Sequence, residues 1–370
     1  MMFFLAQYIE LTFSEGGRSY TGINNRDNQN RLQSISTRVS DIRLPSHEYE
    51  ITLVDQIGLD QSNAIIHLVQ RWNGPMIITI ALNKTDSFRK VLETYSTYSR
   101  NLRLLSYTMI SKETFTMNRL RNMAISAVTT SHFLAIDSIA IPSSELYSQL
   151  LQVSPTVFRM KNRIIAIPSF YLEHDAYSNQ IGKTYSFEDY IKQILPYIPK
   201  TKEELFKCVK EGNCHKPNSN DDSQNYIPQM WYSNNEKWTI IPFLNNNKQQ
   251  QPYFVQQKLE ITPLYDENVY STQISRLSYV LKLKCLNYIP TLFYGGFFIQ
   301  IPSMKYIYYL LSDYIPDYMS PETKTVLKRQ INKSLKRIAE EYEIQLDNIC
   351  LEGFKLKDFS RYLPPAENDQ

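Results

Sequence analysis

The side chains best suited to chemistry lie on one predicted helix and at the end of one predicted strand. The helix, over residues 117–128, carries Asn118, Arg121 and Asn122, and the strand, over residues 132–137, ends in Asp137. A carboxylate can hold a divalent cation, and an arginine can stabilise a negatively charged ligand. The alternative is structural, with the helix residues capping the helix and bracing strand ends and Asp137 capping the following turn.

The elements that must position these residues alternate between strands and helices. Apolar, β-branched runs predict strands at 51–56, 76–82, 102–110 and 132–137, with a helical pattern between each pair. This alternation predicts right-handed crossovers and a parallel arrangement of the first strands, whose ligands sit at the carboxyl ends. Asp137 would then point into the site. Later segments predict strands at 164–170, 253–259 and 291–301 and a closing helix near 321–344.

The chain divides by composition into three parts. We expect an extended arm over 1–48, one large α/β domain over 49–345 and a tail over 346–370. The arm is rich in Arg and Ser, which is typical of an organelle transit peptide, but its acidic residues favour a polar arm lying on the fold or on a partner. Two polar stretches, 213–225 and 245–251, predict exposed loops or insertions.

Composition excludes several classes of function. Only 10 glycines occur, no glycine-rich phosphate loop is visible, and a net charge of +3 indicates no strongly charged partner. No apolar stretch reaches the ~20 residues of a membrane-spanning helix, and the first residues make a poor signal peptide. Two sequences, Asn83-Lys84-Thr85 and Asn332-Lys333-Ser334, have the form of glycosylation sites but mean nothing without entry into the secretory pathway.

The cysteines give no metal site. Cys208 and Cys214 are close in sequence and His215 follows them, but two further ligands at a suitable spacing are missing. We therefore expect free thiols, which suit a reducing compartment.

Six segments in order resemble the LARGE-type glycosyltransferases. They are ITLVDQIGLDQ with the following Trp72-Asn73-Gly74-Pro75, FTMNRLRNMAI (115–125), FLAIDSIAIPSSELY (133–147), IIAIPSF (164–170), PKTKEELFKCVKEG (199–212) and PYFVQQKLEITPLYDENVY (252–270). The resemblance implies a GT-A fold, which is a Rossmann-like mixed sheet in a single large domain, here with a C-terminal helix. It also implies that Asn118, Arg121 and Asn122 line the pocket for a nucleotide-sugar donor.

The same resemblance exposes losses at the expected metal site. The family's Asp-x-Asp motif corresponds to Asp137-Ser138-Ile139, so isoleucine replaces the second carboxylate. Gln300 stands where the family places a histidine ligand, and an amide oxygen is a weak ligand for a transition metal. The family's Gly-x-Gly-x-Asn-Lys turn corresponds to residues 270–276, where Arg276 replaces the lysine and the glycines are absent.

These losses predict a glycosyltransferase-like protein without metal-dependent transfer, kept as a structural or binding subunit of a larger assembly. No cofactor is expected, other protein subunits are the expected partners, and weak nucleotide or glycan binding is retained at most. The location expected is intracellular, either soluble or assembly-bound, with mitochondria as one candidate, or the Golgi lumen if the family's location holds. The alternative is an active nucleotide-sugar-dependent glycosyltransferase with altered metal ligands, using Mn²⁺ and a UDP-sugar; a metal-free variant would need Arg119, Arg121 or Arg276 to stabilise the leaving phosphate.

Overall fold

A computed structural model describes most of the predicted domain. The described residues are 8–12, 33–37, 49–95, 98–109, 116–137, 140–160, 162–173, 187–215, 227–228, 231–232, 239–241, 252–260, 262–269 and 272–301. The predicted helix near 321–344, the tail, Ile139, the stretch 245–251 and the part of 213–225 beyond residue 215 lie outside them. Within the arm, strands β1 (Tyr8–Thr12) and β2 (Gln33–Thr37) pair antiparallel.

The first half of the domain is the predicted parallel unit. Strands β3 (Ile51–Gly58), β4 (Met76–Leu82), β5 (Leu102–Thr108) and β6 (His132–Ala135) lie in the order β5-β4-β3-β6, all parallel. Helices α1 (Ala64–Arg71), α2 (Phe88–Tyr95) and α3 (Met117–Ser126) connect them. Every residue of β4 is buried, and all but Thr79 are apolar, because a parallel sheet is covered by helices on both faces. The four predicted strands are confirmed.

The second half turns the sheet into a mixed one. Strand β12 (Tyr253–Gln257) lies antiparallel between β6 and β8 (Arg163–Ile167), and β13 (Ile289–Leu292) is parallel to β8. At the edge, β11 (Thr239–Ile240) pairs with β13, which completes eight strands among the described residues. The predicted α/β fold with a mixed sheet is confirmed.

A second sheet of four strands corrects two predicted boundaries. Its order is β10-β9-β14-β7, formed by β10 (Cys214–His215), β9 (Ser169–Leu172), β14 (Phe298–Gln300) and β7 (Ala140–Pro142). The segment 164–170 is therefore two strands, because Pro168 lacks the N–H that a continuous ladder needs. The segment 291–301 is likewise divided, with Gly295 and Gly296 in the connection between the two sheets. The remaining helices are α4 (Leu146–Leu151), α5 (Pro155–Phe158), α6 (Phe187–Ile194), α7 (Lys202–Lys210) and α8 (Thr272–Cys285).

Trp72 anchors the end of α1 to the main core. Its side chain is 1% exposed, its indole N–H donates to the Pro75 carbonyl at 3.1 Å, and its ring lies 4.8 Å from that of Tyr147. A Cβ on Gly74 would approach the Tyr147 ring to 2.2 Å, so this turn requires glycine. The packing explains the Trp-Asn-Gly-Pro sequence that ends the helix.

Candidate functional site

The predicted site residues meet at the carboxyl ends of β3 and β6. The chain leaves β3 toward β4 on one side, whereas β6 lies on the other side of β3. Such a reversal of strand order opens a crevice in which α/β sheets bind ligands. Asp137 follows β6 by two residues and lies at this edge, as predicted. Arg121 comes from α3 and Arg276 from α8, so three separate elements contribute charge to one place.

Arg121 is the most heavily bonded of these residues. Its side chain is 2% exposed, and its Nε donates to Gln56 Oε1 at 2.9 Å. Nη1 donates to Asn118 Oδ1 at 3.0 Å and to Ser275 Oγ at 3.3 Å, and Nη2 donates to Asp137 Oδ1 at 2.5 Å. A guanidinium presents five N–H groups in a rigid plane, and here they join β3, α3, α8 and the end of β6.

Asp137 is held on both of its oxygens. Oδ1 accepts from Arg121, whereas Oδ2 lies 3.3 Å from Nη1 of Arg276 and accepts from the Tyr253 hydroxyl at 3.3 Å. The carboxylate is 18% exposed. The described geometry therefore makes Asp137 the counter-ion of two arginines.

Aromatic rings complete the cluster. The guanidinium of Arg121 lies 4.4 Å from the centre of the Tyr265 ring, which stacks on Tyr279 at 3.8 Å, and that of Arg276 lies 4.3 Å from the centre of the Tyr253 ring. Burial acts to lower the pKa of Arg276, but the nearby Tyr253 and Asp137 outweigh it, so the pKa lies above its ordinary value. Burial raises the pKa of the Tyr253 hydroxyl well above its ordinary value. Arg276 is therefore held as a cation and Tyr253 as a neutral hydrogen-bond donor.

Asn118 and Asn122 fasten the loop over 262–269 to helix α3. Asn118 donates to the Asp266 carbonyl at 2.7 Å, and Asn122 donates to the Tyr265 carbonyl at 2.8 Å while accepting from the Tyr265 N–H at 2.9 Å. Each amide thus satisfies backbone groups or neighbouring side chains. These contacts tie the loop to helix α3, and the donor-pocket role implied for the two asparagines stays a prediction.

The residues at the expected metal site do not fit a divalent cation. Gln300 is buried, and its amide donates to the Tyr253 hydroxyl at 3.3 Å and to Ser169 Oγ at 3.4 Å, so it serves as a donor in a polar network. Within the part of the chain that the structure describes, no three His, Cys, Asp or Glu side chains come together as a metal-binding group. Ile139 lies outside that part, and its side chain has no donor atom.

The crevice itself is small. Its lining includes Arg121, Asp137, Tyr253, Tyr265 and Arg276, and its cavity volume is about 10 Å³. A volume of roughly 10–15 Å³ holds one water molecule, whereas pockets for small ligands measure about 300–1,000 Å³. In this structure the arginine and tyrosine side chains leave space in the crevice for about one water molecule.

A second carboxyl group lies close to this cluster in the buried strand β3. Asp55 is fully buried, and its Oδ1 accepts from the Gln56 N–H at 2.8 Å, whereas Oδ2 has no hydrogen-bond partner among the described residues. Burial raises the pKa of Asp55 well above its ordinary value, and the charge of Asp137 raises it further. The burial that raises this pKa favours the neutral form of Asp55.

The other predicted arginine and the cysteines behave differently. Arg119 lies outside the cluster, with its Nε 3.1 Å from Glu267 Oε2. Cys208 and Cys214 form a disulfide with their Cα atoms 5.2 Å apart, so the expectation of free thiols is wrong for this pair. The positive φ of 78° at Gly212 turns the chain after α7, and β10 then carries Cys214 back to the helix. Cys285 is buried and forms no disulfide with the other described cysteines.

Sequence reasoning missed Gln56, Tyr253, Tyr265 and Tyr279 as members of the site. Tyr253 and Tyr265 fall in the segment 252–270 that carries the resemblance, but their types alone do not separate site residues from core residues. The available signal was position, because Gln56 is a polar residue near the carboxyl end of a largely apolar strand, where the sequence predicts that ligands bind.

Fold and site together define an α/β protein with a Rossmann-like first half and an arginine–carboxylate cluster at its switch point. No protein-family model matches the chain. It is 22% identical over 178 residues to the xylosyl- and glucuronyltransferase LARGE2 of Rattus norvegicus, a match covering 46% of this chain and 23% of that protein. It is 25% identical over 215 residues to the glycosyltransferase-like protein gnt14 of Dictyostelium discoideum, covering 55% and 31%. The predicted resemblance to LARGE-type glycosyltransferases is confirmed as a distant relationship over less than a third of either relative.

Solved structures give a weaker likeness. GalNAc-T7 with UDP, GalNAc and Mn²⁺ is 10% identical with a TM-score of 0.49, covering 88% of this chain and 62% of that one. The structure of residues 1–349 of TarS from S. aureus is 10% identical with a TM-score of 0.39, covering 85% and 81%. At these scores the likeness says nothing about the site. In the described residues, no helix is long and apolar enough to cross a membrane.

Proposed function

We propose that this glycosyltransferase-like chain has lost metal-dependent sugar transfer and serves as a structural or binding subunit of a larger assembly. The observation that carries the proposal is the state of Asp137. Both of its oxygens face guanidinium groups, at 2.5 Å from Arg121 and 3.3 Å from Arg276. A carboxylate that ligates a metal must instead direct an oxygen lone pair at the ion.

The two positive charges beside Asp137 also disfavour a metal ion. At ~4 Å and an effective dielectric constant of ~20, each guanidinium would repel a divalent cation at Asp137 by about 8 kcal/mol. Two such repulsions disfavour a divalent cation there, and Gln300 adds no charge to offset them. The tyrosines and arginines that fill the crevice leave at most weak binding of a nucleotide or a glycan.

A polar arm and two polar insertions support a role in protein contacts. Ordering such segments costs conformational entropy, which contacts with a partner can offset. The 27 tyrosines of the chain also suit protein surfaces that bind other proteins, because Tyr is enriched at interfaces. We therefore expect other protein subunits as the partners.

One observation favours a second candidate, an active nucleotide-sugar-dependent transferase. Arg121 and Arg276 bring two positive charges to the carboxyl ends of the strands, where a leaving diphosphate would need neutralising. That enzyme would work only if the crevice opens and Asp137 releases at least one arginine. The alternative of altered metal ligands would have to draw them from outside the described residues.

Size-exclusion chromatography of native extract, joined to an activity assay, separates the two candidates. A subunit elutes far above the mass of a 43.5 kDa monomer, and its fractions show no UDP-sugar hydrolysis or transfer that depends on this chain. A monomer with such activity would overturn the proposal and establish the enzyme. The arm should resist protease in the complex and be cut in the purified chain.

A further inference from the structure

The sequence Asn83-Lys84-Thr85 lies on the surface of the described fold. It occupies the connection between β4 and α2, and the side chains of all three residues are exposed. Asn-x-Thr with a residue other than proline at the middle position is the acceptor sequence for an Asn-linked glycan, which is bulky and needs an exposed site. The position satisfies that steric requirement.

The local turn leaves the Asn83 amide available. The Asp86 N–H donates to the Asn83 carbonyl at 3.1 Å, and Asp86 Oδ2 accepts from the Asn83 backbone N–H at 2.6 Å and from Nδ2 at 3.1 Å. A glycosylated amide keeps one N–H, which can still donate to Asp86. Attachment of a glycan therefore requires no change in the fold.

The disulfide supplies an independent observation about the compartment. Cys208 lies in the last turn of α7 and Cys214 in β10 at the edge of the second sheet. Disulfides persist in oxidising compartments and are rare in the reducing cytosol. The cell compartments that add Asn-linked glycans are also those in which structural disulfides form.

We propose that Asn83 carries an Asn-linked glycan, added in the oxidising secretory lumen in which Cys208 and Cys214 are joined. In the first step Nδ2 of Asn83 attacks the anomeric carbon of an oligosaccharide carried on a lipid diphosphate. A C–N bond forms, the bond from the anomeric carbon to the diphosphate oxygen breaks, and the amide loses one proton to a base of the transferring enzyme. The disulfide forms in a separate reaction. The thiols of Cys208 and Cys214 give two electrons and two protons to the disulfide of an oxidoreductase, which becomes a dithiol.

The test uses the tagged full chain purified from its source cells after free thiols are alkylated before lysis. We expect a peptide N-glycosidase to increase the gel mobility and to convert Asn83 to Asp, detected by mass spectrometry, with Cys208 and Cys214 unalkylated until a reductant is added. Asn83→Gln and Thr85→Ala should each abolish the shift at this site. Thr85→Ser, which keeps the acceptor sequence, should retain it.

The second acceptor sequence provides the control for position. Asn332→Gln should leave the conversion of Asn83 unchanged. An unmodified Asn83 in a chain whose disulfide is formed would overturn the proposal, as would a mobility shift lost in Asn332→Gln alone. Alkylation of Cys208 and Cys214 without prior reduction would also overturn the proposal, because it would show that the two thiols are not joined as an oxidising compartment requires.

Discussion

Replacing Asp137 with Asn tests whether the carboxylate is a counter-ion or a waiting metal ligand. If it is a counter-ion, Asp137→Asn leaves Arg121 buried and Arg276 mostly buried without their shared anion. Removing one partner of a buried pair costs about 3–5 kcal/mol, and the 18% exposure of Asp137 reduces that cost. We expect the free energy of unfolding to fall by about 3 kcal/mol.

Urea denaturation in metal-free buffer measures the effect as a lower transition midpoint at unchanged slope. The matched control is Glu93→Gln, which removes the anion of an exposed pair whose side chains are 79% and 60% exposed and whose Arg89 Nε lies 2.8 Å from Glu93 Oε1. Exposed pairs contribute about 0.2–1 kcal/mol, so the control should lose less than about 1 kcal/mol.

A free energy of unfolding that is unchanged or higher in Asp137→Asn would refute this interpretation of Asp137. Carboxylates gathered to bind a metal repel one another in the metal-free protein, so neutralising one leaves stability unchanged or raises it. An Asp137→Asn variant at least as stable as the wild type in metal-free buffer would therefore contradict the counter-ion role.

Three further predictions concern titration and the disulfide. Burial lowers the pKa of His132 to about 4, so on acidification the unfolded state takes up a proton at a higher pH than the folded state does. The free energy of unfolding should therefore fall by roughly 2 kcal/mol from pH 7 to pH 5, and the His132→Phe variant should lack this contribution. Burial raises the pKa of Asp55 in the folded state. The contribution of Asp55 to the free energy of unfolding is therefore fully present below the unfolded pKa and is lost as the pH rises through the folded pKa. Between the unfolded and the folded pKa of Asp55, the free energy of unfolding of the wild type should fall by about 1.4 kcal/mol per pH unit more than that of Asp55→Asn. The same dependence on pH in both proteins would contradict the burial of a neutral carboxyl. The Cys208→Ser, Cys214→Ser double variant should lose about 2 kcal/mol by urea denaturation, because the closed loop is short, and reductant should lower the wild type to the same value.

The first half of the fold was predictable because its information is local. Strands such as Met76–Leu82 are apolar except for Thr79, and turns such as Gly74-Pro75 mark their limits. The insertion of β12 between β6 and β8 was not predictable from the residues alone, because strand order depends on contacts between segments more than 80 residues apart. The division of 291–301 into two strands likewise depends on which sheet each part joins.

The charged members of the site were predictable, but its aromatic members and its hydrogen bonds were not. Arg121 and Asp137 were found from their elements, yet the contact between them needs α3 and the end of β6 to pack side by side. The pairing of Asp137 with Arg276 needs α8 as well, which lies over 130 residues further along the chain. The disulfide was missed because spacing alone does not show that the turn at Gly212 returns Cys214 to helix α7.

Isothermal titration of Mn²⁺ and UDP-sugars into the full chain tests the loss of metal-dependent transfer most directly. Because both oxygens of Asp137 are engaged by arginines, we predict no heat of nucleotide-sugar binding that depends on the metal, in the wild type and in Asp137→Ala alike. Tight manganese-dependent binding of a UDP-sugar that disappears in Asp137→Ala would contradict that loss and make Asp137 a metal ligand.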